Sequence, residues 1–178
     1  MQLPVSTVAR QHFIQNAYHV ADIDAAMAHW NRLFGLGPFL VRRHIALHDV
    51  TYRGQPGALD ISAAHVQAGA VQIELVQQHC ANPSTFRDMF APDEEGLHHV
   101  AILPDDHAAL VNHYAGQGAE VVTDFTTGEG RGASYVDARR TLGHMVEIYK
   151  VNDSLIEFYA AIAEAARNWD GRRLVIEV

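Results

Sequence analysis

The sequence has one cysteine, a minority of basic residues and no long hydrophobic run. Cys80 has no partner for a disulfide within the chain, and no apolar run of about 18 residues is present to span a bilayer. Residues 1–10 lack the apolar core and cleavage site of a secretory leader, so we expect a cytoplasmic protein. The 13 Lys and Arg residues against 21 Asp and Glu give a net charge of −8 with histidine neutral. This balance argues against nucleic acid or an anionic membrane as a partner.

The 178 residues are 48% hydrophobic and 19% charged, which is typical of a folded globular protein. We expect a single domain over residues 1–178, because a chain of this length can bury one sizeable core. The 12 histidines are an unusually large number. Imidazole binds metals and exchanges protons near neutral pH. The composition therefore directs attention to a small-molecule site in which histidine holds a metal or moves a proton.

A local pattern occurs twice along the chain, once from Gln15 and again from His99. In the first copy a short apolar strand leads to Asp22 as a helix cap, then to an apolar stripe with helical spacing that stops at Gly35. In the second copy the same order runs through Asp106 to the glycines after the helix. The two copies predict two modules of similar structure.

Short strand candidates follow each predicted helix. They cover 39–45, 59–66 and 70–77 in the first half and 120–125, 133–137 and 144–150 in the second. Each half is therefore predicted to be a βαβββ module, over 11–78 and 97–151. A four-stranded sheet with one helix does not close its own core, so we expect the modules to pair in one α+β domain. Residues 153–178 are predicted to add a C-terminal helix, with Leu155, Ile156, Tyr159 and Ile162 on one face, and a tail that ends in a short strand.

Alternation along the strands places polar residues on a face where apolar ones are expected. Glu74 shares one face of its strand with Gln72, and Glu147 lies between Met145 and Tyr149 on its strand. Gln15 and His99 lie in the first strand of each module. Two carboxylates, one imidazole and one amide oxygen suit a divalent ion with open positions. The alternative is that Gln15 and Glu74 are hydrogen-bonded polar residues on a half-solvated sheet.

Four motifs, in order along the chain, resemble the vicinal oxygen chelate superfamily, which includes glyoxalase I, methylmalonyl-CoA epimerase, extradiol dioxygenases and bleomycin-resistance proteins. They are QNAYHVAD (15–22), QIELV (72–76), GLHHVA (96–101) and GHMVEI (143–148). The resemblance implies a cup-shaped mixed sheet of paired βαβββ modules. It also implies one divalent ion, such as Zn, Ni, Co, Mn or Fe, held by Gln15, Glu74, His99 and Glu147.

The resemblance implies a metal-dependent isomerase, epimerase or lyase of the glyoxalase type. Such enzymes transfer a proton next to a carbonyl through a metal-stabilised enolate, with Glu147 or Glu74 as the base. One alternative is a non-catalytic binding protein of the bleomycin-resistance type. Another is an Fe(II) extradiol-type dioxygenase, although Gln15 stands where that class has a histidine.

Five further residues are expected to bind the substrate. His19 and Gln78 occupy positions where glutathione-dependent glyoxalases carry arginine and asparagine, which argues against glutathione. The others are Gln72, Phe39 and Tyr149. His98 is predicted to point to the opposite face from His99, as a packed or supporting residue. Because dimers are common in the superfamily, we expect a homodimer, and a sedimentation mass of one chain would contradict this.

Overall fold

The computed structural model describes residues 11–128 and 130–178. The expectation about a leader in residues 1–10 lies outside these ranges. The strands are β1 (His12–His19), β2 (Phe39–Arg42), β3 (Leu47–Tyr52), β4 (Gln55–Pro56), β5 (Ile61–Ala68), β6 (Val71–Gln78), β7 (Gly96–Leu103), β8 (Val121–Thr127), β9 (Gly132–Val136), β10 (Met145–Tyr149) and β11 (Val175–Glu177). The helices are α1 (Ile23–Phe34), α2 (His107–Gly116), α3 (Arg139–Leu142) and α4 (Asp153–Arg167).

The two main helices of the repeat begin at the predicted caps. The side chain of Asp22 accepts hydrogen bonds from the backbone N–H groups of Asp24 and Ala25, and Asp106 accepts one from Ala109. These bonds satisfy N–H groups that have no partner within the helix. α1 ends at Gly35, which has a φ of 66° and a left-handed backbone that glycine adopts without strain.

All the strands form one mixed sheet in the order β11-β2-β5-β6-β1-β7-β10-β9-β8-β3-β4. β1 and β7 meet antiparallel in the middle, and each is paired in parallel with the last strand of its own module, β6 or β10. α1 and α2 cover one face, which we call the outer face, and pack on residues such as Leu75 and Ile148. The α+β fold class predicted from the sequence is confirmed.

The segment between β2 and β5 differs from the prediction. The strand expected over 39–45 ends at Arg42, and β3 and β4, which lie between the strands predicted over 39–45 and 59–66, form a hairpin. β3 lies in the first module by sequence but pairs with β8 of the second. We call residues 43–46 the crossover, because they carry the chain from one module to the edge of the other.

α4 covers the inner face of this chain's own sheet, opposite the face covered by α1 and α2. Leu155 and Ile162 are buried, whereas Ile156, expected on the same apolar face, is 46% exposed. α4 packs mainly against β5, and β11 adds a parallel strand beside β2. The homodimer stays a prediction. No helix within 11–128 and 130–178 combines the length and apolar character needed to cross a membrane.

Candidate metal centre and pocket

The predicted ligands lie in two adjacent rows across the central strands. In one row Glu74 and His99 stand on either side of Ala17, and in the other Gln15 and Glu147 stand on either side of Ala101. Exchanging the two modules interchanges Gln15 with His99 and the two glutamates with each other. The small alanine side chains leave space over the middle strands, so that the longer side chains of the flanking strands can lean together.

Three of these side chains converge on one point from a single chain. Glu74, His99 and Glu147 each offer a ligand atom, and the three atoms lie within 4.8 Å of one another. His99 Nε2 lies 3.4 Å from Glu74 Oε2 and 3.2 Å from Glu147 Oε2. All three residues are buried. A ligand set of this kind does not require a second copy of the chain.

The three converging atoms are also poorly satisfied. Among the described residues, Glu74 Oε2, His99 Nε2 and Glu147 Oε2 have no partner with the geometry of a hydrogen bond. Buried polar atoms are rarely left in this state, because each one costs free energy that water or a partner would recover. Two carboxylate oxygens and one imidazole nitrogen facing a common point fit a divalent cation.

Gln15 reaches the same region from β1. Its Oε1 accepts a hydrogen bond of 3.1 Å from the hydroxyl of Tyr149, and its Nε2 is buried with no hydrogen-bond partner in the described ranges. A half-turn of the amide would keep the contact, with Nε2 donating to the Tyr149 oxygen, and would expose the amide oxygen in place of Nε2. Gln15 is therefore the fourth candidate ligand, with Tyr149 as the group that orients it.

The neighbouring histidines and glutamates shift the pKa values of Glu74 and His99 in opposite directions. Burial raises the pKa of Glu74, but the nearby His65 and His99 outweigh this effect and hold the pKa below its usual range. His65 Nε2 lies 3.1 Å from Glu74 Oε1. Burial lowers the pKa of His99, but Glu147 and Glu74 raise it to about 9. Without a metal, a protonated His99 therefore supplies the positive charge between the two carboxylates.

His98 packs beneath His99 and contacts it directly. The two Nδ1 atoms are 2.8 Å apart, and the His98 ring stacks on Phe86 at a centroid distance of 4.1 Å. Burial lowers the pKa of His98 well below its usual range, so it is neutral and can accept a hydrogen bond from its neighbour. His99 then carries a proton on Nδ1 and turns Nε2 toward Glu74 and Glu147.

A pocket opens from the centre toward α4. Glu74, Glu147, His65, Tyr135 and Tyr149 form its polar part. Most of the remaining lining comes from apolar side chains and two arginines: Ile45, Leu47, Ile61, Ala63, Phe125, Leu155, Phe158, Arg42 and Arg131. Its free volume is about 70 Å³. That volume corresponds to a few waters, at roughly 10–15 Å³ for each, so the enclosed part suits a small group.

The five predicted substrate contacts separate in the structure. Tyr149 lines the pocket, and Gln72 lies beside Gln15 in the same row, 3.5 Å from the backbone oxygen of Tyr159. Phe39 packs on the outer face under α1, because alternation along β2 turns Arg42, three residues later, to the inner face.

His19 and Gln78 are engaged away from the pocket. The ring of His19 contacts the Glu94 carbonyl oxygen at 2.7 Å and the Arg87 guanidinium at 3.1 Å. Gln78 donates to the carbonyl oxygens of Cys80 and Asn82 and fixes the loop after β6. Both side chains are buried and hydrogen-bonded within the protein, and neither is among the residues that line the pocket.

Sequence reasoning missed three residues at the centre. His65 shares the inner face of β5 with Ile61 and Ala63, so alternation along that strand could have identified it. Tyr135 is paired with Glu147 in the sheet register. Phe158 comes from α4, lies edge-on to His65 at 5.1 Å and carries the Arg131 guanidinium 5.0 Å above its ring. No local pattern in the sequence places that helix over the pocket.

The fold and the site together define a class of protein that binds a ligand inside a cup of two paired modules. Residues 14–135 match the Glyoxalase/Bleomycin resistance protein/Dioxygenase superfamily, and the chain belongs to this superfamily. The resemblance stated from the four motifs is thereby confirmed. No curated protein matches the sequence.

Solved structures with the same fold include several methylmalonyl-CoA epimerases. The enzyme from Mycobacterium tuberculosis is 19% identical, with a TM-score of 0.57 over 82% of this chain and 91% of that chain. A Streptomyces coelicolor epimerase variant in complex with 2-nitronate-propionyl-CoA is 16% identical, with a TM-score of 0.54 over 77% and 94%. A methylmalonyl-CoA epimerase in complex with methylmalonyl-CoA and NH4+ is also 16% identical, with a TM-score of 0.56 over 79% and 94%. At these identities the comparison establishes a shared fold.

Proposed function

We propose that the protein is a divalent-metal-dependent isomerase, epimerase or lyase that moves a proton next to a carbonyl group. The observation that carries the proposal is the convergence of Glu74, His99 and Glu147 on one buried point, with ligand atoms that lack hydrogen-bond partners among the described residues. The solved epimerases with this fold are consistent with such a reaction.

Gln15, Glu74, His99 and Glu147 are the residues that would hold the ion. Zn, Ni, Co, Mn and Fe all accept this combination of oxygen and nitrogen ligands. A bound divalent ion would polarise the substrate carbonyl and stabilise the negative charge that develops when the neighbouring carbon loses its proton. The protein would provide a dry cavity in which that stabilisation is not weakened by water.

Glu147 is the better candidate for the base. Glu74 is held by His65 and His99, which depress its pKa, and a carboxylate with a depressed pKa is a weak proton acceptor. Glu147 stands beside Tyr135 instead of a second histidine and lines the same pocket. Glu147 would take the proton from the substrate carbon and return it, and Glu74 would remain a ligand.

The pocket favours a substrate with an anionic group on a short apolar acyl or oxo-acid portion. Arg42 and Arg131 both lie in its wall, and burial together with the charge of Arg42 lowers the pKa of Arg131. Two guanidinium groups that repel one another are stabilised when an anion binds near both. Substrates of this kind include 2-oxo acids and acyl-CoA thioesters. The ligands of the solved epimerases are CoA compounds.

The first test is the metal content of the purified protein beside a Glu74→Ala/Glu147→Ala double variant, measured by plasma mass spectrometry. We expect about one ion per chain at this centre, lost in the double variant. A centre that stays empty after Zn, Ni, Co and Mn have been supplied would refute the proposal and favour a binding protein without catalysis.

The second test is deuterium wash-in from D2O into 2-oxo acids, thiohemiacetals and small acyl-CoA thioesters. Removal of a general base lowers the rate by roughly 10²- to 10⁴-fold, so we expect Glu147→Gln to lose wash-in by that factor. Glu157→Gln, on the exposed side of α4, is the matched control and should not change the rate. A Glu147→Gln protein that retains its ion and its wash-in rate would rule out Glu147 as the base.

A further inference from the structure

Outside the pocket, a second group of metal-binding side chains gathers where the crossover meets the first module. His44 is in the crossover, Asp60 precedes β5 and His79 follows β6, so three separate segments each supply one residue. Each residue offers one ligand atom, and the three atoms lie within 4.8 Å of one another. His44 Nδ1 is 2.8 Å from Asp60 Oδ1, and the His44 and His79 rings have centroids 4.3 Å apart.

Hydrogen bonds from the backbone hold these three segments together. The His79 N–H donates to the Asp60 carbonyl oxygen at 2.9 Å, and the His44 N–H donates to Ser62 Oγ at 3.1 Å. The same Ser62 Oγ lies 2.7 Å from His79 Nε2. The side chains therefore stand on a fixed frame, and binding a cation would require only rotation of exposed rings and of one carboxylate.

The backbone of His44 is itself unusual. Its φ of 47° lies in the left-handed region, which costs free energy for a residue with a side chain. His44 follows the end of β2 by two residues, and its ring lies against the ring of His79. Strained backbone of this kind is found at functional positions, where the surrounding structure holds it in place.

We propose that His44, Asp60 and His79 form a second divalent-cation site, which we call the crossover site, distinct from the centre in the pocket. Two imidazoles and one carboxylate favour Zn²⁺ and similar transition metals over Mg²⁺ or Ca²⁺, which prefer oxygen ligands. Nearby Arg43 is paired with Asp24 at 2.7 Å and Glu177 at 3.0 Å, and these two carboxylates offset its positive charge.

The crossover site lies behind one wall of the pocket. Ile45 follows His44 directly, Arg42 lies two residues before it, Ile61 follows Asp60, and these three residues line the pocket. The Ile45 N–H also donates to the Ile61 carbonyl oxygen at 2.8 Å. A cation bound to His44, Asp60 and His79 would cross-link the crossover to the β5 and β6 segments. The site would therefore fix the wall that faces the substrate.

The test is the zinc stoichiometry of the full, tag-free chain after equilibrium dialysis against Zn²⁺. We compare the wild type with His44→Ala, Asp60→Asn and His79→Ala, and use His29→Ala, on the exposed side of α1, as the matched control. We expect two ions per chain in the wild type and in the control, and one in each cluster variant. Thermal melts establish that each variant is folded.

The outcomes separate this proposal from the proposed function. If the pocket centre binds no metal, the wild type should bind one ion and the cluster variants none, which still supports the crossover site. Cluster variants that bind as many ions as the wild type, or a control that loses one as well, would overturn it. As an independent measurement on the wild type, Co²⁺ should broaden the ring proton signals of His44 and His79 in NMR spectra. Unchanged signals at both residues would also refute the site.

Discussion

At the scale of single residues, the contact between His98 and His99 controls which nitrogen faces the centre. A hydrogen bond between two Nδ1 atoms needs one donor and one acceptor. A protonated His99 has no acceptor nitrogen, so the buried, neutral His98 accepts and His99 Nδ1 donates. His99 is thereby held as the tautomer whose Nε2 can bind a metal. His98 is a positioning residue, since its own side chain does not reach the pocket.

Replacing His98 tests this arrangement through metal affinity. Phenylalanine fills a similar volume against Phe86 but cannot accept the hydrogen bond from His99, so His98→Phe should weaken binding at the pocket centre by about 10- to 100-fold. His98→Asn restores an acceptor and should recover part of the loss. The measurement is competition with a chelator of known affinity. Equal affinities in the wild type and both variants would show that His98 only fills space.

The candidate ligands could be predicted because each obeys a local rule. Alternation along a strand identifies Glu74 and Glu147, and the repeat aligns Gln15 with His99. No local rule predicts how a side chain is oriented or which groups it hydrogen-bonds to. His19 was expected to bind substrate, yet it is held by Glu94 and Arg87, two groups that are distant in sequence. Contacts of this kind depend on how the chain packs, which periodicity does not encode.

At the scale of elements, α4 supplies the roof of the pocket. Leu155 and Phe158 line it, and Leu155 also belongs to the apolar cluster with Tyr135 and Tyr149. The helix and its apolar face follow from sequence periodicity, but the surface that it covers does not. The crossover between β2 and β3 could not be predicted from local patterns either. The pairing of β3 with β8 joins segments more than 70 residues apart, such as Leu47 and Thr127.

Adjacent residues on α4 give a matched test of this roof. Leu155 is 3% exposed and Ile156 is 46% exposed. Leu155→Ala should lower the free energy of unfolding by about 2–5 kcal/mol, because it removes buried methyl groups and leaves a cavity. Ile156→Ala should change it by less than about 0.5 kcal/mol, since its side chain faces solvent. Denaturant unfolding measures both, and equal losses in the two variants would contradict the docking of α4 on the sheet.

At the scale of the whole molecule, the paired modules bring charged groups into the interior that neither module could accommodate alone. Each module contributes one glutamate, and the meeting of β1 and β7 sets the two carboxylates on either side of His99. A positive charge between the two carboxylates stabilises such a centre, because buried carboxylates close together repel one another. A proton on His99 supplies it in the metal-free protein, and a divalent ion would supply it in the loaded one.

This exchange predicts that alkaline pH destabilises the metal-free protein more than the zinc-loaded protein. The pKa of His99 is raised from 6.5 to about 9, so its stabilisation is complete below pH 6.5 and is lost as the pH rises through 9. Chelator-treated protein should therefore show a falling Tm between pH 6.5 and 9.5. A His99→Gln variant has no proton to lose there and supplies the background slope. With Zn²⁺ bound, the ion keeps its charge as the pH rises, so the extra loss of Tm should disappear. Parallel Tm curves for the metal-free wild type and His99→Gln would mean that His99 does not carry the charge that stabilises the two carboxylates.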